Sequence, residues 1–295
     1  MTNRNAILIF GPTASGKSKA SLKIAKEINS VVINTDSLQI YEDLSILTSR
    51  PSTDDENLFQ HKLYGYVKGD LQYTVSDWLH DVSIEIESAF NRNLTPILVG
   101  GTGLYFKSLE EGLAEIPEIC EEVMKNTNDL IQKLGLEHVF RDLIKKTPKC
   151  KINSNDTSRI IRAYNVFMQT GKSIEEWQKN TKPSISKISY QKLLINIDRE
   201  ILYSKAENRF DQMLIDGAIE EVECLNSLNY SKDNTIMKAI GVREISDYIS
   251  GKIELNEAIK LAKQKTRNYI KRQQTWINSN NITWNTSYKK LVESL

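Results

Sequence analysis

Cysteine and histidine are scarce in this chain, with only three of each among 295 residues. Cys120, Cys150 and Cys224 are odd in number, widely separated and free of any C-x-x-C spacing. That pattern speaks against a disulfide framework and against a cysteine zinc site. His61, His80 and His138 form no sequence cluster, so each reads as structural rather than metal-ligating. Long hydrophobic runs are missing as well; none approaches the roughly 18 apolar residues of a membrane-spanning helix. A surplus of either charge is also absent, with 39 Lys and Arg against 38 Asp and Glu and a net charge of +1. A globally basic nucleic-acid binder is thereby disfavoured, whereas a local basic face stays open. Met1 to Asn5 lead straight into an apolar run and leave no room for a signal peptide, so a cytoplasmic location is expected. The sequence holds no internal repeat and no low-complexity linker.

What is present is ordinary for a globular protein: 40% hydrophobic and 26% charged residues. The length suits one large α/β domain or two modest ones. The first motif follows at once. An apolar run from Ile7 to Phe10 meets Gly11-Pro12-Thr13-Ala14-Ser15-Gly16-Lys17-Ser18, and Leu22, Ala25 and Ile28 then recur at helical spacing. Strand, G-x-x-x-x-G-K-S and helix in that order are the P-loop in its proper context. The glycines let backbone N–H groups curl round an anion, and the new helix points its positive end at it. Lys17 would neutralise outer phosphate oxygens and Ser18 would hold Mg²⁺. The loop itself specifies phosphate or pyrophosphate and does not specify ATP.

Further along, Val31 to Ile33 reads as a short strand ending in Asn34-Thr35-Asp36-Ser37. Ligand chemistry in open α/β sheets gathers at the carboxyl ends of strands, so Asp36 is expected to face the same pocket as the loop. Leu44 to Leu63 reads as a surface excursion. Ser76 looks like the N-cap of a helix carrying Leu79, Val82, Ile86 and Phe90. Ile97 to Val99 is the next strand and runs into Gly100-Gly101-Thr102-Gly103, a second Gly-rich loop, before a helical stretch from Leu104 to Leu113. From Pro117 to about Pro183 strand-like runs give way to amphipathic segments: Val123 to Leu134, Leu136 to Lys145, Asp156 to Gln169, and Ile174 to Gln178. Leu193 to Ile197 returns to a strand. One long helix is expected with Ala206, Phe210, Met213, Ala218, Val222 and Leu225 on one face, and a last helix from about Asn256 to Ile277. The expected fold is α/β, a P-loop NTPase-like parallel sheet (1–116 and 184–295) with a helical insertion subdomain at 117–183.

Four places carry chemistry. Asp36 can bind Mg²⁺, take a proton from a nucleophile, or merely cap a turn. Ser37, Gln39 and Tyr41 beside it are hydrogen-bonding and stacking groups suited to a purine edge. Thr102 offers a hydroxyl among backbone donors at a strand's end. Arg209 sits next to Phe210; such an Arg is ordinarily solvated or salt-bridged, but as a phosphate clamp it would complete the charge around a leaving pyrophosphate. The C-terminal stretch from Lys260 to Arg272 holds six basic residues and no acid, with Tyr269 and Trp276 interleaved. Cations with aromatics suit a nucleic-acid backbone with a stacking contact. Arg159 and Arg162 share a helical face and can add to it.

Taken together, "GPTASGKS", "NTDSLQIY", "LVGGTGLYFKSL", "SNDTSRIIRA", "NRFDQML", "MKAIGVREISDYISG" and "TRNYIKRQQTW" resemble the tRNA dimethylallyltransferase (tRNA isopentenyltransferase) family. The motifs fall in the family's order over nearly the whole chain. The first is common to many NTPases; the set is specific. The resemblance implies transfer of a dimethylallyl group from dimethylallyl diphosphate to N6 of the adenosine at position 37 of tRNA, just 3′ of the anticodon. On that reading Gly11, Pro12, Thr13, Ala14, Ser15, Gly16, Lys17 and Ser18 hold the donor diphosphate, with Mg²⁺ on Ser18. The resemblance assigns catalysis to Asp36 as proton acceptor, Thr102 and Arg209. Asp36, Ser37, Leu38, Gln39 and Thr102 would meet the entering base. Ser158, Arg159, Ile160, Ile161, Arg162, Gly241, Arg243, Lys271, Arg272 and Gln273 would contact the tRNA anticodon stem-loop. A monomer is expected, with no membrane contact. The chain departs from the family's usual pattern at Leu47 to Pro51, Gln60 to Leu63, Arg162 to Val166 and Ile240 to Glu244, where the resemblance assigns no catalytic residue. Three other readings share the loop: an adenylate isopentenyltransferase acting on free AMP, ADP or ATP, a small-molecule or nucleotide kinase, and a non-catalytic RNA-binding protein. The basic C-terminal helix and the helical insertion favour tRNA over a free nucleotide.

Overall fold

A computed structural model describes residues 4–179, 181–183, 185, 188–280, 282 and 284. Met1 to Asn3 of the expected leaderless start, and the residues beyond 284 assigned to the core, lie outside the described residues. The chain divides into two compact units, residues 1–108 with 185–295, and residues 109–184.

The first unit is built on a five-stranded, all-parallel sheet of order β3-β2-β4-β1-β5. Its strands are β1 (Asn5–Phe10), β2 (Ser30–Asn34), β3 (His61–Lys62), β4 (Thr95–Gly100) and β5 (Ser189–Leu194). Residues Ala6 to Phe10 of β1 are buried, as are Pro96 to Gly100 of β4, because a parallel strand between two neighbours is covered on both faces. Register then fixes the site. Phe10 pairs with Gly100, and Asn34 pairs with Val99, so β2, β4 and β1 end side by side. The segments Gly11–Ser18, Thr35–Gln39 and Gly101–Thr102 therefore leave the sheet at its carboxyl end, where open α/β sheets place their ligands.

The helices of this unit are α1 (Lys17–Ala25), α2 (Thr53–Leu58), α3 (Val75–Asn91) and α4 (Gly103–Glu111), which runs on past residue 108. Gly16, at φ +91°, turns the loop into α1 through the left-handed region, where a side chain is strained. The helix α3 is capped by Thr74 rather than Ser76: Thr74 and Asp77 form a reciprocal capping box, with the Asp77 N–H donating to Thr74 Oγ1 at 3.3 Å and the Thr74 N–H to Asp77 Oδ2 at 2.8 Å. The expected surface excursion from Leu44 to Leu63 is more ordered than its polarity suggests. Leu44 is fully buried, Ser52 and Asp55 box the start of α2, and His61–Lys62 adds the edge strand β3.

The other unit, 109–184, contains α5 (Glu121–Leu134), α6 (Leu136–Lys146), α7 (Thr157–Thr170) and α8 (Ile174–Gln178). Val139, Leu143, Ile160 and Tyr164 form its core. Asp156 caps α7 by accepting the Arg159 N–H at 3.2 Å.

The chain re-enters the sheet at Ser189, ahead of the apolar run from Leu193 to Ile197. An edge strand has one partner and tolerates polar residues, so Ser189, Gln191 and Lys192 belong to β5. Beyond it, Ile195 still donates its N–H to Phe10 O at 2.8 Å. The single long helix expected next is two: α9 (Arg199–Ile215) and α10 (Ala218–Ser227), broken at Gly217 with φ +102°. A glycine just past a helix end is the usual stop. A 3-10 turn (Ile236–Lys238), α11 (Val242–Ile249) and α12 (Leu255–Ser279) complete the unit. Phe210, Met213, Val222, Ile245 and Ala262 from these helices close a second core around Ile40, Tyr41 and Leu44.

Candidate active site

Asp36 is held rigidly from its own segment. Its N–H donates to Asn34 Oδ1 at 2.8 Å, and Asn34 Nδ2 returns a bond to the Asp36 carbonyl at 2.9 Å. One carboxylate oxygen, Oδ1, accepts the Leu38 N–H at 3.0 Å. The other, Oδ2, lies beside Gly101, where an added Cβ would sit 3.6 Å from it. Thr102 clamps the same turn from the second Gly-rich loop: its Oγ1 accepts the Ser37 N–H at 3.1 Å and donates to Ser37 Oγ at 3.4 Å.

Two cations face this one carboxylate. Lys17 Nζ donates to Pro12 O at 3.3 Å, which folds the side chain back into its own loop. Burial lowers its pKa to about 8; Asp36 opposes that shift and Arg209 adds to it. Arg209 reaches in from α9 and donates through Nη2 to Thr13 Oγ1. Burial also lowers the Arg209 pKa, with Asp36 opposing. The Arg209 Nε and the Ser15 hydroxyl are buried without a hydrogen-bond partner. Buried donors without partners are costly and call for an explanation. An anion set between the loop and Arg209 would supply it, since two cations against one carboxylate leave net positive charge.

The cavity at this place is about 660 Å³ including its open mouth, and Thr13, Asp36 and Arg209 line its polar side. Its other side is apolar, with Leu38, Leu47, Phe210 and Met213. Tyr269 of α12 also lines it, its phenol pushed up by burial and by Asp36. Burial keeps that hydroxyl protonated and able to donate.

Gln273 is the residue whose placement the sequence did not convey. The resemblance puts it at the RNA; in the structure it is buried and both ends of its amide are engaged. Oε1 accepts the Thr13 N–H at 2.9 Å and Nε2 donates to Gly101 O at 2.9 Å. One side chain of α12 thus ties both Gly-rich loops together. Lys271 and Arg272, just before it, are exposed, and the Arg272 guanidinium lies over the Tyr269 ring at 5.7 Å. Arg243 is exposed at the start of α11, and Gly241 before it is buried at φ +102°. Gln39 donates its amide to Thr48 O at 2.8 Å and Ser49 O at 2.9 Å. In the other unit, Ser158, Arg159 and Arg162 are exposed on α7, Ile161 is half-buried, and Ile160 is a core residue. Ser18 is exposed on the first turn of α1.

Fold and site define a P-loop-like α/β protein whose phosphate loop faces a carboxylate and a second-element arginine. Comparison with known proteins is specific beyond that class. A family model described as IPP transferase matches residues 39–280, and one described as isopentenyl transferase matches residues 4–64. The chain is 42% identical over 286 residues to a tRNA dimethylallyltransferase of Allorhizobium ampelinum, covering 96% of this chain and 94% of that protein. It is 40% identical to that of Ehrlichia canis, over 99% of this chain and 98% of the relative. Among solved structures, a tRNA isopentenylpyrophosphate transferase from Bacillus halodurans superposes with a TM-score of 0.68 at 28% identity, covering 99% and 94% of the two chains. A eukaryotic dimethylallyltransferase acting on tRNA gives 0.81 at 27% identity, over 93% of this chain and 70% of that one. The chain belongs to the tRNA dimethylallyltransferase family, a family of prenyltransferases.

Proposed function

We propose that this protein transfers the dimethylallyl group of dimethylallyl diphosphate to N6 of the adenosine at position 37 of tRNA, releasing diphosphate. The observation that carries the reading is the meeting of Arg209 and Asp36 at one cavity, with Lys17 of the adjoining loop interacting by charge with both, a cationic anion-holder beside a base. The N6 amine is a weak nucleophile, because its lone pair is delocalised into the purine. Asp36 takes the N6 proton as the N6–C1 bond forms and the C1–O bond to diphosphate breaks. The leaving charge passes into preformed donors: the N–H groups of Gly16, Lys17 and Ser18 at the start of α1, the Ser15 hydroxyl, Lys17 and Arg209. Thr13 and Thr102 orient the loop and the turn that carry these groups. The apolar wall of Leu38, Leu47, Phe210 and Met213 suits a branched five-carbon chain and shields it from water.

Mg²⁺ fits the donor set. Among the described residues no group of three His, Cys, Asp or Glu side chains is arranged to hold a metal ion. Mg²⁺ commonly keeps several waters and takes phosphate oxygens with few protein ligands. The exposed Ser18 hydroxyl is the one protein ligand we assign to it. When bound, the ion would neutralise charge on the diphosphate. Arg243, Lys271 and Arg272 are exposed cations suited to the tRNA backbone, and Arg159 and Arg162 of α7 add two more. No helix among the described residues is long and apolar enough to cross a membrane. We take the protein to act in the cytoplasm as a monomer.

The test pairs purified protein and Mg²⁺ with dimethylallyl diphosphate and either unmodified tRNA or AMP, with nucleosides read by mass spectrometry. An adduct on tRNA adenosine and none on AMP is expected. An adduct on AMP alone would move the protein to a free-nucleotide acceptor, and phosphate transfer from ATP to an acceptor would make it a kinase.

A further inference from the structure

Glu221 on α10 performs a task that its own helix does not need. Its carboxylate accepts the backbone N–H groups of three successive residues: Ser45 at 2.6 Å and Ile46 at 2.8 Å on Oε1, and Leu47 at 3.0 Å on Oε2. The Ser45 hydroxyl adds a fourth bond to Oε1 at 3.0 Å. Consecutive amides wrapped round one anion are a backbone nest, here filled by a side chain 174 positions away at Leu47. Charge-assisted bonds of this kind are the strong ones.

The turn so held is the wall of the active-site cavity. Leu47 and Thr48 line the cavity together with Asp36 and Arg209. The turn is strained, with Ser49 at φ +53°. From the other side Gln39 binds Thr48 O and Ser49 O, and Leu47 rests against Gly241, where an added Cβ would come within 2.8 Å of its Cδ2. Gln39 holds the carbonyls of the turn and Glu221 holds its amides. An apolar residue at 221 would remove the acceptor that these three half-buried amides share.

We propose that Glu221 is a positioning residue for the transfer reaction: it holds the 45–49 turn closed over Asp36 and so keeps water from the donor carbon. The proposal rests on the prenyl-transfer reading above. With the turn loose, water attacks C1 of the donor in place of N6. A C1–O bond to water forms as the C1–O bond to diphosphate breaks, the proton passes to solvent, and dimethylallyl alcohol is released.

The experiment compares wild type with Glu221→Ala and Glu221→Gln. Hydrogen–deuterium exchange reads the amides of Ser45, Ile46 and Leu47, and turnover reads dimethylallyl alcohol against tRNA adduct. In Glu221→Ala these amides lose protection while β1 and β4 keep theirs, kcat for transfer falls about tenfold to a hundredfold, and the ratio of alcohol to adduct rises. Glu221→Gln, which retains one good acceptor oxygen, lies between. Unchanged protection of the three amides in Glu221→Ala overturns the proposal whatever the activity. So does lost protection with an unchanged alcohol-to-adduct ratio. Absence of any adduct from wild type would instead overturn the prenyl-transfer reading, and the exchange result would still decide whether Glu221 holds the turn.

Discussion

The cavity has two walls of different origin. One is made by the segments that follow β1 and β2, which line it with Thr13, Asp36, Leu38 and Leu47, with Lys17 and Thr102 in the loops beside them. The other is made by α9 and α12, which line it with Arg209, Phe210 and Tyr269, while Glu221 of α10 and Gln273 of α12 hold the facing segments from outside the cavity. The loop wall supplies most of the reacting groups and shapes them by backbone geometry. The helical wall supplies one charge and much of the fixing. Phosphate loops of this kind are built from exposed amides and flexible glycine, so they gain definition from rigid elements behind them. Here the definition is direct: Gln273 bonds both loops, Arg209 bonds Thr13, and Glu221 bonds the turn that faces them.

Removing the base from the loop wall should have the largest effect. Asp36→Ala is expected to lower transfer by about 10²- to 10⁴-fold while tRNA affinity, measured by filter binding, stays within about twofold. Transfer at the wild-type rate would remove Asp36 from its role and leave the loop wall without chemistry. Next comes the charge from the helical wall. Arg209→Ala should reduce kcat by about 10²- to 10³-fold, and Arg209→Lys should restore little, because a lysine lacks the fork that reaches Thr13 and an anion together. Full rescue by lysine would make the helical wall a plain source of charge.

Gln273→Ala tests fixing without charge. It frees the Thr13 N–H and the Gly101 carbonyl, and an unpaired buried group costs about 1–3 kcal/mol. The expected result is a lower Tm and a raised KM for the donor, with tRNA affinity little changed. A loss confined to tRNA affinity would return Gln273 to the RNA surface. A pH series addresses Lys17, whose pKa is lowered to about 8. The protonated amine is the form that holds diphosphate, so donor KM for the free enzyme should be lowest below pH 8 and rise as the pH climbs through it. A flat profile to pH 9 would mean that Lys17 stays charged. The smallest effect belongs to the outer surface. Replacing Lys271 and Arg272 with alanine should reduce the salt slope of tRNA binding by about one unit for each phosphate no longer neutralised, with kcat at saturating tRNA nearly intact.

The loop wall was largely legible in the sequence; of the helical side, Arg209 and Tyr269 were legible, but Glu221 and the inward placement of Gln273 were not. A P-loop is a local object: its glycines, its lysine and its flanking strand and helix are adjacent in the chain. Asp36 and Thr102 are legible by the same logic, since each follows a β-branched or apolar run that reads as a strand. Errors fall where context overrides local pattern. Ser76 is a good cap type, yet Thr74 wins because Asp77 stands at the reciprocal position. The single helix expected from Ala206 to Leu225 keeps its apolar face across Gly217, so periodicity hides the break. Leu44 to Leu63 looks like surface because its charged middle outweighs Leu44, which is buried to 0% exposure. The α11 helix has no counterpart among the expected elements; its buried Glu244 binds the Gly241 N–H at 3.0 Å and pairs with Lys265.

By itself the sequence determined the Gly11–Ser18 loop motif, the parallel α/β character, the helical texture of 117–183 and, through the ordered motifs, the family. These follow from local rules: hydrophobic period, capping, and the residue types that an anion-binding turn needs. Only the tertiary structure decided which polar side chains of α10 and α12 face inward. Nothing near Glu221 distinguishes it from Glu220 or Glu223, and Gln273 sits between Arg272 and Gln274 in a run that reads as a nucleic-acid-binding face. Their assignments come from the packing of α9, α10, α11 and α12 against one another and against the segments that follow the strands, which covers one polar group and exposes its neighbour. A buried acceptor must find a donor, and the donors here are backbone amides at positions 13, 45, 46 and 47, which carry no side-chain signal for a sequence to display.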